Sequence, residues 1–209
     1  MRQIATITGE GFTSIIREDD RGRVFFTADA DIDADGANGQ HGKQAAYMVG
    51  NRGSEHLANG GMKMHGGKVV GAASWFRDIV ILGKDGQPRE FPGGVIASKT
   101  AYRYPDRSPD DPAAYVDSET IAYIVVPPVI RAKTAGKVLG CLCKATNILT
   151  GQIVQGAVAD IGPRSKVGEV SIHMAKLLGL PSSPRNGGTS MAIILYELWP
   201  GVAAPGFRF

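Results

Sequence analysis

AVADIGPRSKVGEVSIHMAKLLGL, residues Ala157 to Leu180, is the stretch whose reading decides the fold. The residues leading into it, Gln152 to Val158, alternate and run apolar like a strand that Asp160 closes. Gly162 and Pro163 follow at once and force a turn, because neither sustains a sheet ladder. Apolar residues return at Val170, Met174, Leu177 and Leu178 with helical spacing, and Gly179 stands where a helix C-cap belongs. Glu169 sits just ahead of that helix, so two carboxylates, Asp160 and Glu169, are carried on a strand end and a helix start. Rigid placement of two acids around a tight turn suits acid/base chemistry. Each acid also has a purely structural reading: Glu169 complements a helix dipole, and Asp160 caps a turn. Lys166 and Arg164 lie between the acids, where they either lower a carboxylate pKa or stand in solvent; solvent is the simpler expectation. Ser171 and His173 lack a nucleophile elbow and read as helix start and surface.

Outward from this stretch, the strand Val24 to Thr27 leads into Asp29, Asp31, Asp33 and Asp35. Alternation places these four on one face of an extended segment. Aligned like charges repel, so such a run needs a cation or a functional reason. Asp31, Asp33, Asp35 and Gly36 match the opening of an EF-hand loop, but its closing position falls on Gly42, which excludes the bidentate ligand; no metal site is expected. A solvated turn at Asp35-Gly36 is the plain alternative.

The rest of the chain reads as short strands. Met1 to Ile16 is β-leaning; Thr120 to Val126, Lys137 to Thr146, Gln152 to Asp160 and Met191 to Trp199 are strand-like; and Val95 to Tyr102 is a further candidate. AASWFRDIVIL opens a strand with Trp75 read as core, and Asp85-Gly86 marks a hairpin. A short helix is expected near Ser54 to Ala58. His41, His56 and His65 lack metal-ligand spacing and read as loop or surface residues. The tail PGVAAPGFRF reads as peripheral. Many strands with one well-marked helix predict a mainly β protein with a barrel core, as one domain over residues 1–209.

Composition narrows the function classes. A chain of 209 residues with 43% hydrophobic and 21% charged residues can bury a substantial core. The net charge of +3 is spread without a basic run, so nucleic-acid binding finds no support. No apolar window reaches bilayer-spanning length, which argues against membrane insertion. Met1 to Asp20 carries no apolar signal-peptide core; lysis, injection or carriage on a phage particle would then bring the chain to an external substrate. Cys141 and Cys143, two apart on a strand, read as reduced core thiols, and two cysteines alone do not complete a zinc shell.

Three blocks resemble glycoside hydrolase family 75, the chitosanases: ADADIDADG at Ala28 to Gly36, VDSETIAYIVVPP at Val116 to Pro128, and ADIGP with GEVS around Asp160 and Glu169. Ala34 stands where fungal members carry a cysteine. The last block is also similar, more distantly, to the double-psi β-barrel of rare lipoprotein A. The resemblance implies a six-stranded double-psi β-barrel-like core with one or two short helices and long loops. It further implies an endo-acting, inverting hydrolase of chitosan-like amino-sugar polysaccharide that needs no cofactor. Glu169 would be the general acid and Asp160 its partner, with Asp31 or Asp33 as fallback base and Asp31, Asp33 and Asp35 binding cationic sugars. Inversion requires about 6.5 to 9.5 Å between the carboxyl groups. Two alternatives stay open: an enzyme cleaving peptidoglycan or another bacterial surface glycan, of phage or prophage origin, and a non-catalytic glycan-binding or virion structural module.

Overall fold

The computed structural model describes residues 1–9 and 11–209, so Glu10, within the β-leaning N-terminal segment, lies outside the described residues. Two units are distinguished, Met1–Asp33 with Thr120–Phe209, and Ala34–Glu119. The first unit begins with strands β1 (Arg2–Thr8), β2 (Thr13–Glu18) and β3 (Val24–Asp33). The second contains β4 (Tyr47–Met48), β5 (Met62–His65), β6 (Lys68–Gly71), helix α1 (Phe76–Ile79), β7 (Glu90–Phe91) and β8 (Val95–Ile96). The chain then returns to the first unit with β9 (Tyr123–Val126), α2 (Pro128–Lys133), β10 (Cys141–Asn147), β11 (Ile153–Ile161), β12 (Glu169–Ser171), α3 (Ile172–Leu177) and β13 (Thr189–Ala203).

Six strands close into a mixed barrel in the order β3, β12, β9, β11, β10, β13 and back to β3, with β2 and then β1 added beyond β3. The β12–β3 and β11–β9 pairs are parallel, and the other pairs of the ring are antiparallel. Closure removes the exposed edges that an open sheet of this size would carry. Strict alternation along β3 explains its role: Val24, Phe26, Ala28, Ala30 and Ile32 are buried, while the odd-numbered residues face outward. Ile124, Cys143, Ala145, Val158, Ile194 and Leu198 fill the interior with them. Helix α3 follows the predicted pattern, with Ser171 as N-cap accepting from the Met174 amide and Ile172, Met174 and Ala175 buried. Gly179 just beyond it adopts φ 72°, the left-handed stop expected there. Ser171 itself, at the helix start as expected, is fully buried.

The first unit departs from expectation at its last strand. β13 continues through the supposedly peripheral Pro200 to Ala203, because residues 200–202 bulge out of it, so that the adjacent Leu142 and Cys141 of β10 pair with Trp199 and Ala203. Cys141 and Cys143 are free buried thiols on the inward face of β10, and burial pushes Cys141 up to about 12.

In Ala34–Glu119 the sequence reading fails in three places. Trp75 is 53% exposed, and the segment opens a helical turn instead of a strand. The aromatic anchor is its neighbour Phe76, whose ring lies so close to Gly71 that a Cβ there would come within 2.1 Å of it. Residues 54–58 form turns rather than a helix, since the Glu55 carboxylate accepts from the His56 amide at 2.5 Å and from the Asn59 side chain at 2.9 Å. Only Val95–Ile96 of the candidate strand to Tyr102 is extended in a ladder.

Candidate functional site

Registers across the barrel bring the acids together. Asp31 on β3 lies opposite Glu169 on β12, Glu169 lies opposite Val125 on β9, and Val125 lies opposite Asp160 on β11. Directly paired residues share a face, so Asp31, Glu169 and Val125 form a row on the outer side of the barrel, and Asp160 joins it opposite Val125 across a bulge after Val158 that breaks the alternation of β11. Glu169 and Asp160 are two strands apart; at about 4.8 Å per strand their backbones stand about 10 Å from one another. Asp29 and Asp33 flank Asp31 at two-residue intervals and share its outward face.

Two groups of carboxylates result. In the first, Lys166 bridges Asp31 Oδ2 at 2.5 Å and Glu169 Oε1 at 3.3 Å. The solvated reading of Lys166 is therefore replaced by a clamp. The Glu169 side chain is only 20% exposed, and burial raises its pKa against the opposing pull of Lys166. Asp29 stands beside them with Oδ1 buried and without a hydrogen-bond partner among the described residues. Burial, reinforced by the Asp31 charge, pushes Asp29 up to about 6. Tyr196, buried beneath, donates its hydroxyl to the Asp29 carbonyl oxygen at 2.7 Å and so fixes the backbone of this acid.

In the second group a carboxylate oxygen of Asp33 lies within 4.8 Å of one of Asp160. The Tyr123 hydroxyl donates to Asp33 Oδ2 at 3.1 Å. Asp160 is 9% exposed, and its Oδ1 accepts from the Ile161 amide at 2.7 Å. Asp35 leaves the strand: it is buried in the turn that Gly36 completes, within Ala34–Glu119. The expected single face of four acids thus holds for Asp29, Asp31 and Asp33.

The loop between Asp160 and Glu169 owes its two glycines to these acids. A Cβ on Gly162 would come 2.6 Å from Glu169 Oε2, and one on Gly168, at φ 90°, would come 2.2 Å from Asp29 Oδ1. Both glycines clear the space in which a carboxylate sits, a role beyond making the turn. Above the first group opens a cavity of about 660 Å³, with Asp29, Asp31 and Lys166 along one side and Ile7, Phe12 and Ser190 among its other walls. Elsewhere the same unit pairs its buried acid fully, as with Glu197 between Arg23 at 2.6 Å and Lys144 at 2.5 Å. Around Lys166, three carboxylates gather at one ammonium.

Sequence reasoning underrated Lys166 and Asp29. The i,i+3 spacing of Lys166 to Glu169 was the available signal for the first, and the shared phase of Asp29 with Asp31 for the second. Tyr123 and Tyr196 gave none, since a tyrosine in an apolar strand reads as core. Fold and site together define a β-barrel protein with a cluster of carboxylates around Lys166, beside a cavity whose walls include Asp29 and Asp31. Neither models of known protein families nor curated proteins match this chain.

Proposed function

We propose that the protein is a glycoside hydrolase that cuts β-linked amino-sugar polysaccharide, chitosan-like in charge, with inversion at the anomeric carbon. The observation that carries this reading is the single row in which Glu169 and Asp160 stand two strands apart on one face. Backbones about 10 Å apart are compatible with the roughly 6.5 to 9.5 Å between carboxyl groups that an attacking water requires. Glu169, whose proton affinity is raised by burial, is the general acid that protonates the leaving oxygen. Asp160 is the base that draws a proton from water, with a carboxylate oxygen of Asp33 within 4.8 Å of one of its own. Asp31 is less suited to that task, because the Lys166 ammonium fills the space between it and Glu169. With Asp29 beside it, Asp31 supplies negative charge to a groove that would receive a cationic sugar chain, despite the positive net charge of the whole protein.

Release of reducing ends should be measured on chitosan, peptidoglycan and a bacterial exopolysaccharide in parallel, with NMR of the first-formed anomer. Glu169→Gln is expected to lower the rate on the true substrate by 10³-fold or more, on the order of 4 kcal/mol of transition-state stabilisation. A variant retaining full rate removes Glu169 from the mechanism. Retention of configuration would instead favour the closer Asp31–Glu169 pair. Binding without cleavage of any of the three would identify a non-catalytic glycan module.

A further inference from the structure

We propose that Lys166 is a positioning residue whose ammonium, clamped between Asp31 and Glu169, holds the Glu169 carboxyl in place and sets how firmly it keeps a proton. The proposal rests on reading Glu169 as the acid, and goes beyond it by naming what tunes that acid. Three observations support it.

The first is contact: the Lys166 ammonium touches Asp31 Oδ2 at 2.5 Å and Glu169 Oε1 at 3.3 Å, so the two carboxylates are no farther apart than those two contacts allow. The second is the mounting of the clamp. Lys166 rides on the short segment between Gly162 and Gly168, and side chains at either glycine would strike Glu169 Oε2 or Asp29 Oδ1. The segment is thus fitted against the same carboxyls that its lysine neutralises. The third is the electrostatic setting of Glu169. Lys166 faces it from the loop, Asp31 and Asp29 from β3, and the Tyr196 hydroxyl from β13. Lys166 is the cation among these groups. Burial of its ammonium disfavours the charge, but Glu169 and Asp31 reverse this and raise its pKa. It therefore remains charged wherever the enzyme would work.

The consequence is directional. A cation beside a carboxyl favours the ionised form, so Lys166 opposes the upward pull of burial on Glu169. Removal of the charge leaves burial and the Asp31 and Asp29 carboxylates acting in the same sense. Glu169 then holds its proton to higher pH.

The test uses the full chain with ¹³C-labelled glutamate. The Glu169 carboxyl is followed by NMR from pH 3 to 9 in wild type, Lys166→Met and Lys166→Arg, with circular dichroism as a check of folding. Lys166→Met is expected to raise the Glu169 midpoint by about one pH unit or more, as loss of an opposite charge at this range does. Lys166→Arg, which keeps the cation, should stay near wild type. On a glycan that is cleaved, the alkaline limb of kcat/KM should move up with the midpoint in Lys166→Met alone. An unchanged midpoint in Lys166→Met overturns the proposal; so does an equal change in both variants, which would trace the effect to lost packing. A midpoint that moves as expected while no glycan is cleaved leaves the clamp standing and removes the hydrolase reading, so the two fail separately. If Lys166→Met does not fold, Lys166→Gln replaces it at similar length with the charge removed.

Discussion

Substitution of alanine for Gly168 perturbs the acid site without replacing any acid. Its φ of 90° is a backbone conformation that L residues avoid, which costs roughly 1 to 2 kcal/mol. The new Cβ would also lie 2.2 Å from Asp29 Oδ1, 2.7 Å from the Asp29 carbonyl oxygen and 3.1 Å from the Ala28 Cβ. Two of these three atoms belong to the backbone or core of β3, where relief requires the strand to move. Overpacking of this kind costs about 1 to 3 kcal/mol, so Gly168→Ala should lose about 3 kcal/mol in all. In a domain of this size that corresponds to a melting temperature lower by roughly 10 °C. Gly22→Ala provides the control, because its φ of 78° is equally unfavourable but nothing lies within 4 Å of the added methyl. That variant should lose only the conformational part, about 1 kcal/mol. Urea denaturation of both variants gives the difference directly. Adding Asp29→Ala to Gly168→Ala removes the 2.2 Å clash but not the one with the carbonyl oxygen, so part of the loss should be recovered. Equal losses in Gly168→Ala and Gly22→Ala would refute the claim that Gly168 is there to admit the Asp29 carboxyl.

Other outcomes follow from the same site and core. Asp29 has a folded-state pKa raised from 3.8 to about 6, so the native state binds its proton more tightly than the unfolded state does. Its contribution to stability is greatest below about pH 4 and declines as pH rises to about 6. Asp29→Asn does not titrate; its stability relative to wild type should climb across that window by about 1 kcal/mol, the full shift being discounted because the side chain is partly exposed. Urea midpoints between pH 3.5 and 7 measure this, and a flat difference would sink it. Cys141 and Cys143 are buried, with both thiols pushed up by burial, so neither should react with a thiol reagent at pH 8 until the protein is unfolded. Mass spectrometry before and after addition of denaturant counts the labels, and rapid labelling of the folded protein would contradict the inward placement.

Much of the barrel was legible because its strands obey period two. VFFTADADID alternates without a fault, and both the burial of its even positions and the outward face of its aspartates follow from that alone. Helix α3 was equally clear, with Ser171 before it and Gly179 after it. Trp75 was not legible: an apolar run beside two aromatics does not say which ring turns inward, and the choice of Phe76 depends on Gly71, whose closeness no local pattern reveals. The end of β13 was hidden for a related reason, since a proline and a glycine signal a stop unless the strand itself bulges there, as β13 does between Trp199 and Ala203. At the site, the sequence supplied the acids but not their row. Asp31 and Glu169 are neighbours only through a parallel pairing of β3 with β12, which no spacing along the chain encodes.

That pairing has a kinetic corollary. β3, near the start of the sequence, is joined to β12 and β13, near its end, so the ring is sealed by contacts that enclose most of the polypeptide. Such long-range closure forfeits chain entropy before any contact repays it, and topologies of this kind refold slowly. A fragment ending before β13 would carry every acid of the row, which crosses β3, β12, β9 and β11, but would lack the strand that joins β10 back to β3.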